Sequence, residues 1–401
     1  MKTLVTRDPA RAAEIIRAGG LVAVPTETVY GLAANGLDPR AVEKIYEVKG
    51  RPAVKPLSLM VHDESAMDGC CRDVPKQARA LAAAFWPGPL TIVLKARDSV
   101  PEIVRAGGDT VGLRCPDHPL TLELLRECAL PLAAPSANPS GAPSPKTAAE
   151  VLAYFDGRID CVLDGGECGI GRESTIISLA AAPYKILRPG ALPESDIAAA
   201  LADAMTVIGI TGGTGAGKTT ALGVLESMGA LVIDCDEVYH RLTRESAGLK
   251  SELTERFGAV YNGDTLDRRT LGDTVFADPA ALRDLDAITH RHIDAEVRRL
   301  LRSHAMAGGT LAAIDAAALP ESPVAELCTR LYAVLAPAQE RERRIIEREG
   351  ITPEYAKKRI NAQKPDDYYI KHCDAVLRND GTERQFAEVC AAAFRKDVEN
   401  D

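Results

Sequence analysis

The chain has 401 residues, enough for two domains of ordinary size, and its 46% apolar and 26% charged residues are typical of a globular protein. Its formal net charge of -9 excludes a strongly basic nucleic-acid-binding protein, and no apolar run approaches the roughly 18 residues of a membrane span. The ten cysteines form no C-x-x-C pair, so we expect reduced thiols in a cytoplasmic protein. From the charge and the apolar runs we expect no membrane association and no stable binding of nucleic acid.

In the first half, short runs rich in leucine and β-branched residues alternate with helical patterns. A helix is predicted from Asp38 to Val48, because Asp38 can cap it, Pro39 suits its first turn, and Val42 and Ile45 share one face. The predicted strands are residues 21–24, 57–61, 90–94, 111–113, 161–163, 175–179 and 185–187. This alternation predicts an α/β domain.

Three polar clusters stand at the ends of predicted elements. PTETVYGL at 25–32 follows a buried strand, KGRPAVKP at 49–56 follows the capped helix, and APSAN at 134–138 follows another strand. The middle cluster carries three cations beside two prolines, and such a loop can hold a polyphosphate. Three solvated surface cations are the alternative. Ser136 and Asn138 can contact the same phosphates or ribose, or they can simply form a turn.

The same three clusters, together with FWPGPLT at 85–91, VGLR at 111–114, GRESTII at 171–177 and LRPG at 187–190, resemble the threonylcarbamoyl-AMP synthase family over about residues 7–193. The resemblance implies a twisted mixed-sheet α/β domain that condenses L-threonine, bicarbonate and ATP. It also implies that a carbamate of threonine attacks the α-phosphate without a protein nucleophile, so that catalysis depends on positioning and charge neutralisation. The product would pass to a complex that modifies transfer RNA.

The resemblance also implies two sets of binding residues. For L-threonine they are Thr28, Arg114, Ala134 and Ser174, with Arg114 pairing the carboxylate. For ATP they are Lys49, Arg51, Lys55, Thr110, Ser136, Asn138, Ser144 and Arg188. The chain departs from the family at Met60, where a histidine is usual. His62 lies two residues further on, and period-two geometry predicts that it shares the same strand face.

A boundary is predicted near residue 200. Residues 194–205 form an alanine-rich helical linker between domains at 1–193 and 206–401. Beyond the linker, long helices separate apolar strands, and this alternation predicts parallel β-α-β units. The predicted strands are residues 207–210, 231–233, 311–314, 331–335 and 375–377.

The segment GGTGAGKT at 212–219 fits G-x-x-x-x-G-K-[ST] between a predicted strand and a predicted helix. Its backbone N–H groups can bind phosphate, Lys218 can neutralise the transferred phosphate as a catalytic cation, and the Thr219 hydroxyl can ligate Mg²⁺. A glycine-rich turn with a solvated lysine is the alternative. The predicted ATP contacts here are Gly213, Thr214, Gly215, Ala216, Gly217, Lys218, Thr219 and Thr220.

The next predicted strand ends in two carboxylates, Asp234 and Asp236, at the edge where parallel sheets bind ligands. One carboxylate can orient or deprotonate an acceptor hydroxyl and another can hold a metal-bound water, or each can only cap the following helix. With the phosphate loop, LDRR at 266–269, RI-x-x-Q at 359–363 and NDG at 379–381, the stretch from about 206 to 396 resembles dephospho-CoA kinases.

This second resemblance implies a P-loop NTPase-type parallel α/β domain that phosphorylates the ribose 3'-hydroxyl of dephospho-CoA with ATP and Mg²⁺. It implies Asp236 as general base, Asp234, His290 and Asp315 as acceptor-binding residues, and Arg344 and Asn379 as ATP contacts. Arg341, Arg344 and Arg348 resemble lid cations, with a solvated basic helix face as the alternative. Arg291 and Ala317 replace family prolines. The competing hypothesis is a P-loop kinase of another small acceptor fused to a non-catalytic nucleotide- or RNA-binding module.

Overall fold

The computed structural model describes residues 2–52 and 54–399. Packing divides the chain into two compact units. The first runs to Ala204 and includes Met306–Gly308, and the second begins at Met205 and takes the other residues. Within the described ranges, every helix is too short or too polar to cross a lipid bilayer.

The first unit is built on a ten-stranded sheet in the order β1-β8-β2-β3-β7-β4-β6-β5-β9-β10. The sheet contains both parallel pairs, such as β4 with β6, and antiparallel pairs, such as β5 with β6, which confirms the predicted mixed sheet. The strands are β1 (Leu4–Thr6), β2 (Val22–Val24), β3 (Gly31–Asn35), β4 (Ser58–Met60), β5 (Leu90–Lys95), β6 (Thr110–Arg114), β7 (Leu132–Ala133), β8 (Cys161–Leu163), β9 (Thr175–Ser178) and β10 (Lys185–Arg188).

The helix predicted after Asp38 begins and ends where its caps predict. Asp38 accepts a hydrogen bond from the Arg40 N–H, and Gly50 ends the helix at φ 59, a conformation that favours glycine. The predicted helix is therefore confirmed. The helices are α1 (Pro9–Arg17), α2 (Pro39–Lys49), α3 (Ala66–Cys70), α4 (Lys76–Phe85), α5 (Glu102–Arg105), α6 (Pro119–Cys128), α7 (Ala148–Phe155) and α8 (Glu194–Asp203).

Helix α8 occupies most of the segment predicted to be a linker. Its apolar side chains at Ile197 and Leu201 are fully buried, and the helix packs against α4. The segment is therefore mostly a packed helix of the first unit. A single residue, Ala204, separates this helix from the second unit, which begins at Met205.

The second unit contains a five-stranded sheet in the order β12-β15-β11-β16-β17, in which every pair is parallel. This confirms the predicted parallel α/β fold. Its strands are β11 (Thr206–Thr211), β12 (Leu231–Asp234), β15 (Leu311–Asp315), β16 (Arg330–Leu335) and β17 (Ala375–Arg378), and a separate hairpin is formed by β13 (Tyr261–Asn262) and β14 (Thr265–Leu266).

The core of the second unit fixes the loop that follows β11. Leu225 on helix α9, and Phe386 and Phe394 on helix α17, are buried against the sheet. The helices are α9 (Lys218–Ser227), α10 (Cys235–Glu245), α11 (Ala247–Phe257), α12 (Arg268–Ala277), α13 (Pro279–Met306), α14 (Ala338–Glu349), α15 (Pro353–Asn361), α16 (Asp366–His372) and α17 (Glu383–Glu399), with 3-10 turns at Leu319–Glu321 and Pro323–Leu327.

Candidate active sites

The phosphate loop connects the fully buried strand β11 to helix α9, as its sequence pattern requires. Gly212 has φ 139, and a Cβ there would lie 2.3 Å from the Val334 carbonyl oxygen. Gly217 has φ 108, and a Cβ there would lie 2.2 Å from the Asn379 amide nitrogen. Positive φ and close neighbours thus require glycine at both ends of the loop.

Lys218 lies at the start of α9, and its ammonium is 2.6 Å from Asp315 Oδ1 at the end of β15. Burial raises the pKa of the Asp315 carboxyl, whereas Lys218 opposes that rise. Asp234 and Asp236 raise the same pKa further, since like charges disfavour ionisation. The structure therefore brings the loop lysine and three carboxylates to the carboxyl edge of the sheet. The solvated-lysine alternative is wrong, because the Lys218 side chain is only 20% exposed and is paired.

The two carboxylates near the end of β12, Asp234 and Asp236, have different hydrogen-bonding environments. Asp234 Oδ1 accepts the backbone N–H groups of Asp236 and Glu237, so Asp234 is the N-cap of α10. Asp236 is exposed, and its carboxylate accepts no hydrogen bond from the described residues. Asp236 is thus the member of the pair that remains available to a ligand.

Helix α14 supplies arginines to the phosphate loop. Arg341 is only 6% exposed, and it donates to the Thr214 carbonyl at 3.0 Å and to Gln363 Oε1 at 2.6 Å. Gln363 also accepts the Thr214 N–H at 3.0 Å and donates to its hydroxyl at 2.7 Å. The solvated-face alternative is therefore wrong for Arg341, which is built into the support of the loop.

Arg344 and Asn379 also contact the phosphate loop. Arg344 donates to the Gly215 carbonyl at 3.3 Å and to Asn379 Oδ1 at 3.3 Å, and the Asn379 amide donates to the Ala216 carbonyl at 2.9 Å. Arg348, in contrast, is exposed and pairs with its neighbour Glu349. The structure thus brings two of the three α14 arginines to the phosphate loop.

The predicted acceptor-side residues are more scattered. His290 is half-buried within the long helix α13. Arg291, next to it, forms an ion pair with Glu252 on α11. The Ala317 carbonyl accepts the Thr211 hydroxyl at 3.1 Å, so this departure from the family pattern lies close to the end of β11.

The first unit contains a cavity of about 190 Å³ at the ends of β4, β5, β6 and β9. Its lining combines three arginines, four hydroxyl-bearing side chains, one carboxylate and seven apolar side chains. Of the residues predicted to bind threonine or ATP, those in the lining are Arg51, Arg114, Ala134, Ser136, Ser174 and Arg188.

Arg114 is the most buried of the three arginines, with 9% of its side chain exposed. Its Nη2 donates to Glu27 Oε1 and to the Thr28 hydroxyl, both at 2.7 Å. Its Nε–H is buried and has no hydrogen-bond partner among the described residues. The predicted threonine residues Thr28 and Arg114 are therefore in direct contact, and one guanidinium donor there is unsatisfied.

Glu173 is the carboxylate in the lining of the cavity. Arg188 donates to Glu173 Oε2 at 2.6 Å and to the Ser174 carbonyl at 2.8 Å. Ser144 donates to Glu173 Oε1 at 3.1 Å, and the Ser174 hydroxyl lies 2.9 Å from that of Thr91. A protein carboxylate thus occupies two donors, Ser144 and Arg188, that the sequence predicts for ATP.

The two halves match two different family models. Residues 14–190 match the Sua5/YciO/YrdC model, described as telomere recombination, and residues 206–385 match the model of dephospho-CoA kinase. The threonylcarbamoyl-AMP synthase of Pseudomonas putida is 39% identical over 182 residues, which cover 45% of this chain and 96% of that protein. The chain belongs to the threonylcarbamoyl-AMP synthase family. It joins to this synthase domain a second domain of the dephospho-CoA kinase family.

Longer relatives match the synthase domain more closely. The threonylcarbamoyl-AMP synthase of Pyrococcus abyssi is 50% identical over 186 residues, 46% of this chain and 55% of that protein. That of Bacillus subtilis is 48% identical over 201 residues, 49% of this chain and 58% of that protein. The chain therefore spans little more than half the length of these two relatives.

Lys49 of the synthase domain does not line the cavity. Its ammonium donates to the carbonyl oxygens of Ser136 and Asn138, and the residue is 4% exposed. Burial lowers its pKa most, the neighbouring Arg51 also lowers it and Glu173 raises it, and the net result is a pKa of about 8. Lys49 thus fixes the APSAN loop, and the solvated-cation alternative is wrong for it.

The pKa of Lys49 predicts how stability depends on pH. Between about pH 8 and 10.4 the unfolded chain keeps this proton while the folded chain loses it, so the free energy of unfolding rises with pH. Relative to Lys49→Met, the wild type should gain on the order of 3 kcal/mol across this window. Reversible denaturant unfolding at several pH values measures this gain. Parallel pH curves for the two proteins would contradict the assigned burial of the ammonium.

Other predicted residues of the synthase domain lie outside the described lining of the cavity. Lys55 is exposed, Thr110 is half-buried at the start of β6, and Asn138 donates its amide to the Ala142 carbonyl at 2.6 Å. The period-two argument for His62 is wrong, because β4 ends at Met60. His62 instead contacts Asp63 at 3.0 Å and also Arg126.

Sequence reasoning gave no role to Glu27, Thr91, Glu173 or Gln363, although each lies within a quoted motif. Glu27 and Glu173 are the carboxylates that pair Arg114 and Arg188, and Gln363 joins the phosphate loop to Arg341. Their position inside PTET, GREST and RI-x-x-Q was the available signal. It did not reveal which cation each would contact.

Proposed function

We propose that the chain is a bifunctional enzyme, and that its kinase domain transfers the γ-phosphate of ATP to the ribose 3'-hydroxyl of dephospho-CoA. The observation that supports this most is the phosphate loop with Lys218 held 2.6 Å from Asp315, inside a domain that matches the dephospho-CoA kinase model. The loop N–H groups from Gly213 to Thr220 bind the phosphates, and Lys218 stabilises the charge that develops on transfer.

Within this proposal, Asp236 is the general base. Its neighbour Asp234 is occupied as a helix cap, whereas Asp236 is exposed and has no described hydrogen-bond partner. Asp236 removes the proton of the acceptor hydroxyl, and Asp315 orients Lys218. Arg344 and Asn379 contact ATP, while Asp234 and His290 border the acceptor.

Mg²⁺ fits the phosphate loop at Thr219, whose exposed hydroxyl is at the start of α9. Among the described residues, there is no group of three or more histidine, cysteine or acidic side chains that could form an all-protein metal site. A single hydroxyl suits Mg²⁺, which usually keeps several waters and binds substrate phosphates. When bound, the ion would neutralise part of the phosphate charge.

The synthase domain, we further propose, condenses L-threonine, bicarbonate and ATP to threonylcarbamoyl-AMP and releases pyrophosphate. Arg51 and Arg188 provide positive charge for the polyphosphate at the cavity, and the Ser136 hydroxyl is a donor there. Ser144 and Arg188 donate to ATP in place of Glu173, their partner in this structure. Arg114, Thr28, Ala134 and Ser174 hold threonine. The cavity positions the threonine carbamate for attack on the α-phosphate without a protein nucleophile.

Lys49, Lys55, Thr110 and Asn138 belong to this proposal in supporting roles. Lys49 and Asn138 hold the loop that carries Ser136, as their hydrogen bonds indicate. Lys55 is an exposed cation on the neighbouring loop and adds charge near the entrance. The product is then handed to a complex that modifies transfer RNA, and we propose that this chain itself forms no stable complex with nucleic acid.

Two assays on one preparation of the full chain test the proposal. CoA should form from dephospho-CoA and ATP in a Mg²⁺-dependent reaction, and pyrophosphate should be released only when threonine and bicarbonate are both present. If no CoA forms and another alcohol is phosphorylated instead, the kinase assignment is overturned. Tight binding of transfer RNA without pyrophosphate release would replace the synthase assignment with a binding module.

A further inference from the structure

Some hydrogen-bond donors of Arg114 already have protein partners, and this limits how a ligand carboxylate can pair with the guanidinium. Nη2 carries two hydrogens, and its two acceptors are Glu27 Oε1 and the Thr28 hydroxyl, each at 2.7 Å. The Nε–H is buried without a described partner. The free donors are therefore the Nε–H and those of Nη1.

A carboxylate pairs with a guanidinium through two parallel hydrogen bonds, along either the edge made by Nε and Nη2 or the edge made by Nη1 and Nη2. Both edges include Nη2. A ligand carboxylate can therefore form the two-point pair with Arg114 only when Glu27 or Thr28 releases an Nη2 hydrogen.

Glu27 is the partner that competes by charge. It forms an ion pair with Arg114, and 12% of its side chain is exposed. Its Oε2 accepts the Asp117 N–H at 3.0 Å. Its backbone carbonyl also accepts the Ile170 N–H at 2.8 Å. Glu27 is thus held in place from three directions, in the manner of a fixed anion.

We propose that Glu27 is a specificity-determining residue of the synthase domain: it is the resident anion of the Arg114 subsite, and a ligand carboxylate binds by displacing its Oε1 from Nη2. The inference rests on the proposed function, because threonine supplies that carboxylate. Binding becomes the exchange of one carboxylate for another, with the buried Nε–H gaining a partner. Simple monocarboxylates such as acetate would have to displace Glu27 in the same way, but they lack the other contacts of threonine. Glu27 therefore excludes them.

Glu27→Gln tests the inference, because the amide keeps the shape and one acceptor oxygen but removes the competing charge. Calorimetric titration of the full chain with L-threonine should give a Kd about three- to tenfold lower than that of the wild type. Acetate should also become a measurable competitor. The matched control is Glu123→Gln on α6, an exposed acid whose removal should leave both values unchanged.

An unchanged or higher threonine Kd in Glu27→Gln would overturn the inference while leaving the proposed function intact, provided that the wild type binds threonine and Arg114→Ala does not. No threonine binding by the wild type would instead overturn the proposed function. If the glutamine variant does not fold, Glu27→Asp replaces it. Its shorter side chain cannot span Arg114 and the Asp117 N–H together, so it should also lower the Kd, and a higher value would again overturn the inference.

Discussion

Lys218→Ala should lower the kcat of CoA formation by about two to three orders of magnitude, because it removes the cation that stabilises charge on the transferred phosphate. The lysine is at the start of α9 and is only 20% exposed, so solvent cannot supply an equivalent positive charge at that point. The measurement is steady-state CoA formation at saturating ATP. Threonine-dependent pyrophosphate release by the same variant should be unchanged.

Two controls separate catalysis from folding in this experiment. Lys250→Ala removes a partly exposed lysine of the same domain, which pairs with Asp264, and it should leave CoA formation unchanged. Thermal unfolding shows whether the unpaired Asp315 destabilises the kinase domain. Loss of both reactions in a folded Lys218→Ala protein would mean that the two activities share one nucleotide site.

Arg51→Ala should lower threonine-dependent pyrophosphate release by about two orders of magnitude and raise the KM for ATP. Burial lowers the pKa of the Arg51 guanidinium, and Arg188 lowers it further, whereas Tyr46 and Glu173 raise it. Arg51 and Arg188 are therefore close enough to interact where they would meet the polyphosphate. Arg51 also donates to the Pro56 carbonyl at 3.0 Å and thereby shapes the loop. The measurement is coupled detection of pyrophosphate over a range of ATP concentrations.

The control for this variant is Arg40→Ala, an exposed arginine near the start of α2, which should behave like the wild type. CoA formation by Arg51→Ala should also equal that of the wild type. Normal pyrophosphate release by the variant would remove Arg51 from the site and would favour a cavity that binds without catalysing.

The sequence predicted those features that depend on neighbouring residues. The phosphate loop was predictable because its glycines, Lys218 and the flanking strand and helix are contiguous, and helix α2 because Asp38 and Gly50 mark its ends. Strands β1, β3, β13 and β14 were not predicted, and the strand expected before Ala134, which is β7, was predicted without bounds. Strand β7 has two residues, and β3 reads GLAAN, which lacks the β-branched side chains that indicate a strand.

Contacts between distant residues could not be predicted in the same way. Gln363 reaches Thr214 across 149 positions, and Arg114 reaches Glu27 across 87. Such pairs depend on strand order and helix packing, which periodicity does not encode. The sequence therefore indicated that Arg114 and Lys218 bind anions, but it did not indicate that Glu27 and Asp315 occupy them.

The number of ATP-binding sites on one chain tests the central claim most directly. Equilibrium titration of the full chain with ATP, in the presence of Mg²⁺ and threonine under conditions that prevent turnover, should give two sites per chain. Lys218→Ala and Arg51→Ala should each weaken a different one of the two. A single site, or the weakening of the same site by both substitutions, would contradict the account.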